Sequence, residues 1–171
     1  VAINLTGRHL ADAGFAESVI AELADHGLST DALQIELTER VLMEASNSAM
    51  AGLKLLRNAG VKVGLDDFGT GYSSLSYLRQ FPLDFVKIDR SFIRKLATGS
   101  TEMAIVASII DLSHALSMTV VAEGVEVQSQ LEELIDLGCD LAQGFHLGPA
   151  GTPALLEEHV RGVDLQASRT G

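Results

Sequence analysis

Six times along this chain a short β-rich run is followed by a longer helical pattern, and each run carries a reactive polar group at or near its carboxyl end. The runs are 2–4, 33–37, 61–66, 85–88, 119–123 and 140–145. Between them lie apolar stripes at helical spacing, such as Phe15, Val19, Ile20 and Leu23, and again Ile105, Ile109, Leu112 and Leu116. Gly27, Gly60 and Gly138 stand between a helical stretch and the next run, where a left-handed helix end is best served by a residue without Cβ. Such alternation predicts parallel strands joined by helical crossovers.

Six parallel units suit an open doubly wound sheet or part of an eight-stranded barrel. The polar strand ends decide between them: Asn4, Glu36, Asp66 with Asp67, Lys87 with Asp89, Glu123, and Gln143. An open sheet gathers its ligands at one crevice, whereas every strand of a barrel feeds one mouth. The expected fold class is therefore α/β, a partial TIM-like (β/α) barrel with about six of eight strand–helix units. The chain opens at Val1 inside a strand pattern and without Met, so a part of a longer protein is expected. One domain is read over 1–161 and a polar tail or linker over 162–171.

Hydrophobic residues make up 47% of the chain and prolines number three, a composition for a packed core rather than disorder. No apolar run approaches the roughly 20 residues of a membrane span. The formal charge of −11 excludes sequence-blind binding to DNA, whose phosphates demand a basic surface. A small anionic substrate stays possible where bound cations invert the local charge. Cys139 is the single cysteine, which rules out an internal disulfide and a thiolate zinc cluster; in its apolar setting it reads as a buried thiol. A reducing cytoplasm fits.

Glu36, Glu39, Asp66, Asp67, Asp89, Glu123 and Glu126 all fall at or just past strand ends. Gathered at one mouth, so many like charges raise one another's pKa unless cations lie between them. Oxygen donors alone suit Mg²⁺ or Mn²⁺ rather than zinc. Adjacent aspartates can serve two ions about 3.5–4 Å apart. Any one of these acids is also explained as a solvated loop residue; the set of them is not. After the aspartates, Phe68-Gly69-Thr70-Gly71-Tyr72-Ser73-Ser74-Leu75 reads as a loop able to cover a metal site and offer N–H groups to phosphate. The Asp-Phe-Gly tripeptide is not a kinase signature here, since no kinase catalytic loop accompanies it, and no Walker lysine is present. Lys87, a lone cation in an apolar run, neutralises nearby acids or steadies phosphate charge. The five histidines show no metal-ligand spacing; His146 is nearest the expected site.

Six motifs stand in order: Ile3-Asn4-Leu5-Thr6, Ile35-Glu36-Leu37-Thr38-Glu39, Asp66-Asp67-Phe68-Gly69-Thr70-Gly71, Val86-Lys87-Ile88-Asp89-Arg90-Ser91-Phe92, Ala122-Glu123-Gly124-Val125-Glu126 and Gln143-Gly144-Phe145. Together they closely resemble the EAL domains of bacterial second-messenger signalling. The resemblance implies a hydrolase that opens cyclic di-GMP to linear pGpG by metal-activated attack on one phosphodiester. It implies Asn4, Glu36, Asp66, Asp67 and Glu123 as ligands of Mg²⁺ or Mn²⁺. Lys87, Glu123 and Asp89 would be catalytic, with Lys87 positioning water and Glu123 also a candidate base. Glu39 would anchor the mobile loop, and Gln143 and Glu126 would contact substrate. Partners implied are cyclic di-GMP and sensory or GGDEF-type domains of the parent chain.

The sequence departs from the family pattern in having no Glu-Ala-Leu tripeptide and in ending the last motif with Leu147-Gly148-Pro149. The resemblance then implies that the first two strands and one ligand of the first metal lie upstream, and that these residues alone are inactive. An inert cyclic di-GMP-binding or protein-interaction module is the alternative, and a different metal-dependent barrel enzyme, such as a lyase, a remoter one. Missing strands would leave sheet edges near 2–4 and 141–145 unpaired, so the chain is expected to form a homo-oligomer or to close its edges in another way. Light scattering on a size-exclusion eluate checks this; a clean monomer with an open barrel overturns it.

Overall fold

All six predicted strands are present among the described residues, which in this computed structural model are 1–69, 78–96, 99–148 and 151–152. They are β1 (Ala2–Asn4), β2 (Gln34–Thr38), β3 (Lys62–Phe68), β4 (Phe85–Ile88), β5 (Thr119–Glu123) and β6 (Leu141–Gln143). The described helices are α1 (Gly7–Ala11), α2 (Phe15–Asp25), α3 (Glu39–Met43), α4 (Asn47–Asn58), α5 (Arg90–Ile93), α6 (Thr101–Ala115) and α7 (Gln128–Asp136). Every pairing is parallel and the sheet order follows the chain, so each crossover advances by one strand. Ala2 of the first strand and Leu141 and Gln143 of the last line one concave cavity of about 450 Å³. The sheet thus curls into a half-barrel, as a partial TIM-like fold requires. No helix of the described residues is long and apolar enough to cross a membrane.

Strand periodicity divides the sheet into two environments. Ile35, Leu37, Val63, Leu65, Val86, Ile88, Val120 and Ala122 point outward and are wholly buried beneath the helices. Full burial of a side chain of this kind contributes about 1.5–3 kcal/mol as an upper estimate. The alternate positions, including Gln34, Glu36, Lys62, Phe85, Lys87 and Val121, face the cavity. There the Phe85 ring lies on the bare backbone of β3, and a Cβ on Gly64 would stand 2.1 Å from it. Outside, α4 packs on β3 and α2, while α6 packs on β4 and β5. The glycines expected to end helices at 27, 60 and 138 all have positive φ.

Three expectations are corrected. In α6 the buried face is Val106, Ile109, Ile110 and Ser113, while Ile105 is 38% exposed. That helix is apolar nearly all round, so spacing alone cannot choose its inward face. Strand β6 is Leu141–Gln143, shorter than 140–145, because Gly144 begins a turn whose carbonyl accepts from Leu147 and Gly148. Cys139 is half-buried rather than buried. Its burial pushes the thiol pKa up, and the S–H points to the carbonyls of Leu141 and Val120. The tail over 162–171 lies outside the described residues, as does His159.

Asp84 and Asp140 each precede a strand and act alike at the N-terminal ends of the sheet. Asp84 accepts the amide of Val63 at 3.0 Å and pairs with Arg57 of α4 at 3.0 Å. Asp140 accepts the amide of Val120 at 2.7 Å and meets Nε2 of His114 in α6 at 2.9 Å. Burial opposes the charge on Asp140, but the Val120 amide and the His114 ring outweigh it and hold the carboxyl below its usual range. A depressed acid stabilises the fold above its unfolded pKa of about 3.9 and ceases to do so as pH falls through its lower folded value. Asp140→Ala is expected to cost about 1–2 kcal/mol, a Tm drop of a few degrees at pH 7. As pH falls through that lower folded value wild type and variant should converge, which thermal melts from pH 7 to 2.5 test directly.

Candidate metal and active site

The parallel direction of the strands carries their carboxyl ends to one rim, and Lys87 stands at its centre. Its ammonium lies 2.5 Å from Glu123 Oε1, 3.0 Å from Glu36 Oε2 and 3.5 Å from Asp66 Oδ1. These residues come from β4, β5, β2 and β3, so four strands converge on one cation. Lys87 is 8% exposed and Glu36 7%. Burial lowers the lysine's pKa, yet the contacts with Glu123 and Glu36 and the field of Asp66 outweigh it and hold the pKa above the ordinary value. One cation shared by three acids does not neutralise them all. For Glu123, burial comes first and the Asp66 and Glu36 charges add to it, leaving its carboxyl raised despite the Lys87 contact.

Asp66 and Asp67 are neighbours, and strict alternation would send them to opposite faces. A register shift between Leu65 and Phe68 against β4 prevents this, with Asp67 at φ 54°. Such a bulge re-aims a side chain, here turning the second aspartate toward the first. Oxygens of Asp66, Asp67 and Glu123 then all lie within 4.8 Å of one another. Burial, followed by the charges of Asp66 and Asp89, raises the pKa of Asp67, and Lys87 and Arg90 offset part of the rise. A compact, oxygen-only donor set of this kind fits a hard divalent cation such as Mg²⁺ or Mn²⁺.

The other expected residues are placed as follows. Asn4 is paired in register with Glu36 on the edge strand β1. Gln143 is paired with Glu123 and lines the cavity. Asp89 follows β4 and caps α5 by accepting the Ser91 amide at 2.9 Å. Glu39 is buried at the first position of α3, directly after β2, but residues 70–77 of the loop it is expected to anchor lie outside the described residues. Glu126 is exposed, and its recorded contact is its backbone N–H to Gln130, so the structure does not bring it into the lysine-centred cluster. His146 contacts Gln128 at 2.9 Å, outside that cluster. Nothing in the strand pattern marks Arg90 or Gln130. A basic residue just after Asp89 was the only sign of the first; the second lies inside a helix, and only the fold reveals its reach.

Removing the shared cation leaves three crowded acids, and breaking a buried pair of this kind costs on the order of 3 kcal/mol. Lys87→Met is therefore expected to destabilise the metal-free chain by that amount in urea titrations with chelator. Adding Glu123→Gln should recover part of the loss, giving a double variant more stable than the sum of the single changes. A Lys87→Met chain as stable as wild type would show that the lysine does not hold these acids.

The EAL domain family model matches residues 1–150. The chain is 44% identical over 148 residues to the bifunctional diguanylate cyclase/cyclic di-GMP phosphodiesterase MucR of Pseudomonas aeruginosa, covering 86% of this chain and 22% of that protein. It spans about a fifth of the length of the curated relatives it matches. Among solved structures, the MucR phosphodiesterase in complex with c-di-GMP superposes with a TM-score of 0.84 at 42% identity, over 91% of this chain and 69% of the other. The manganese/c-di-GMP complex of Klebsiella pneumoniae BlrP1 gives 0.77 at 39% identity, over 84% and 37%.

Proposed function

This chain belongs to the EAL domain family, and on that premise we propose that it is the catalytic part of a metal-dependent cyclic di-GMP phosphodiesterase. The observation that carries the proposal is the convergence of Asp66, Asp67 and Glu123 within 4.8 Å beside the buried Lys87 ammonium. The relatives support it: phosphodiesterase activity on cyclic di-GMP is named for MucR, and a manganese complex of BlrP1 shares the fold. The catalytic unit is assigned to 1–161. The rest of a parent protein would supply sensory or GGDEF-type domains.

In this reading Asn4, Glu36, Asp66, Asp67 and Glu123 hold Mg²⁺ or Mn²⁺. When bound, such a cation would supply charge neutralisation of the diester and acidification of a water near neutral pH. Lys87, kept protonated by its acidic neighbours, donates N–H bonds that orient the water and oppose the charge building on phosphorus. Glu123, beside Lys87 and the acids of the metal site, is the candidate base for the water's proton. Water oxygen joins phosphorus, the bond from phosphorus to one ribose 3′ oxygen breaks, and that oxygen takes up a proton from solvent to give linear pGpG. Gln143, paired in register with Glu123, would contact the nucleotide, Asp89 caps the helix after Lys87, and Glu39 would anchor the loop after Asp67. Glu126 would meet substrate from the outer rim.

Calorimetric titration of cyclic di-GMP in Mn²⁺ or Mg²⁺, followed by chromatography for pGpG, tests the proposal. Cation-dependent binding without product is expected of these 171 residues, and turnover of a longer form carrying them. Asp66→Asn should lower turnover in that form by at least about 100-fold, the order expected when a metal ligand or its close support is lost. Binding by the longer form without any turnover would favour the inert binding module. Absence of both would reject the phosphodiesterase reading.

A further inference from the structure

Gln130 is a buried polar side chain, 7% exposed, with three of the four hydrogen-bonding directions of its carboxamide used. Its Oε1 accepts the amides of Glu126 at 2.8 Å and Val127 at 3.2 Å. Its Nε2 donates to the carbonyl of Ile93 at 3.1 Å. Gln130 is the third residue of α7, and capping that helix explains the first two bonds. Capping does not explain the third. Ile93 ends α5, the short helix that starts directly after Asp89 and two residues after the strand bearing Lys87.

Two close approaches run beside this strut. Gly124, next to Glu123, has φ 74°, and a Cβ there would stand 2.5 Å from that of Arg90 at the start of α5. On the other side, Val125 donates to the Gln143 carbonyl at 3.1 Å and accepts from the His146 amide at 3.0 Å. The segment 124–130 is therefore gripped between α5 and the end of β6, and Glu123 emerges from its first residue's neighbour. A glutamine fits the position because it offers an acceptor and a donor on one rigid plane. Glutamate lacks the donor and methionine lacks both.

We infer that Gln130 is a positioning residue for the site: its buried carboxamide locks the loop after Glu123 to the helix after Lys87, so that the two side chains keep their spacing when a cation binds. The inference rests on the metal-site reading above. Groups that orient ligands from behind them change metal affinity without touching the metal.

The test uses the full chain with Gln130→Met, Gln130→Glu and, as a control for a lost helix cap elsewhere, Ser46→Ala, whose hydroxyl accepts the Ala49 amide at the start of α4. Amide hydrogen exchange is followed in the metal-free protein, and Mn²⁺ binding by calorimetry on the folded fraction. Both Gln130 variants should speed exchange at Arg94 and Leu96, whose amides bond back into α5, and raise the Mn²⁺ Kd about tenfold. Gln130→Glu keeps the acceptor and should leave the Glu126 and Val127 amides more protected than Gln130→Met does. Ser46→Ala should change neither α5 exchange nor Kd. Faster exchange confined to the start of α7, with Mn²⁺ affinity unchanged, would overturn the inference and leave Gln130 a helix cap. Where Gln130→Met does not fold, Gln130→Glu decides alone. A wild-type chain that takes up no Mn²⁺ rejects the metal-site reading instead, and the exchange at α5 then decides this one.

Discussion

A single buried ammonium sets the terms for the functional end of this molecule. Lys87 lies on an inward position of a parallel strand, and the neighbouring strands deliver Glu36, Asp66 and Glu123 to the same depth. Three carboxylates so placed repel one another, and burial makes the repulsion stronger. The lysine relieves part of that repulsion, and the acids in turn keep the lysine charged. What remains is an excess of negative charge at the rim. In a closed structural ion pair acid and base balance; here three acids share one lysine.

The two ends of the sheet divide the work. At the N-terminal ends, Asp84 and Asp140 use their carboxylates to hold strand amides and the last turns of α4 and α6. At the C-terminal ends, the carboxylates of Asp66, Asp67 and Glu123 face one another. The same residue type thus stabilises at one end and is held under electrostatic strain at the other. Parallel topology makes the separation possible, because all strands begin at one rim and finish at the other. Phe85, at the start of β4, lays its ring on the bare backbone of Gly64 at the cavity wall.

Net charge takes on a different meaning in this setting. At −11 the chain should repel an anionic dinucleotide at long range. Family membership nonetheless joins it to phosphodiesterases, whose substrate is such an anion. On the proposed function, divalent cations at the rim would reconcile the two facts, since they would be the largest local charges and would reverse the field where the phosphate would sit.

Much of the fold was legible because it depends on local chemistry. Strand β4 and strand β5 fall where β-rich runs predicted them, and Gly27, Gly60 and Gly138 have the left-handed backbone their positions required. The polar strand ends also foretold that acids from distant parts of the chain would share one rim. The face of α6 was not legible, since Ile105 and Val106 are equally apolar and only the packing against β4 and β5 selects one. Nor could the pattern show that Asp66 and Asp67 point the same way, because that follows from a bulge in the pairing with β4. Glu126 looked like a site residue and sits on the exposed rim, whereas Gln130 looked like an ordinary helix residue and spans two loops. The sequence by itself determined which elements form and which chemistry lies at their ends, because strand periodicity and helix ends are properties of neighbouring residues. Only the tertiary structure decided which charges meet and at what distance, because those contacts join residues far apart in the chain and arise from the curl and register of the sheet.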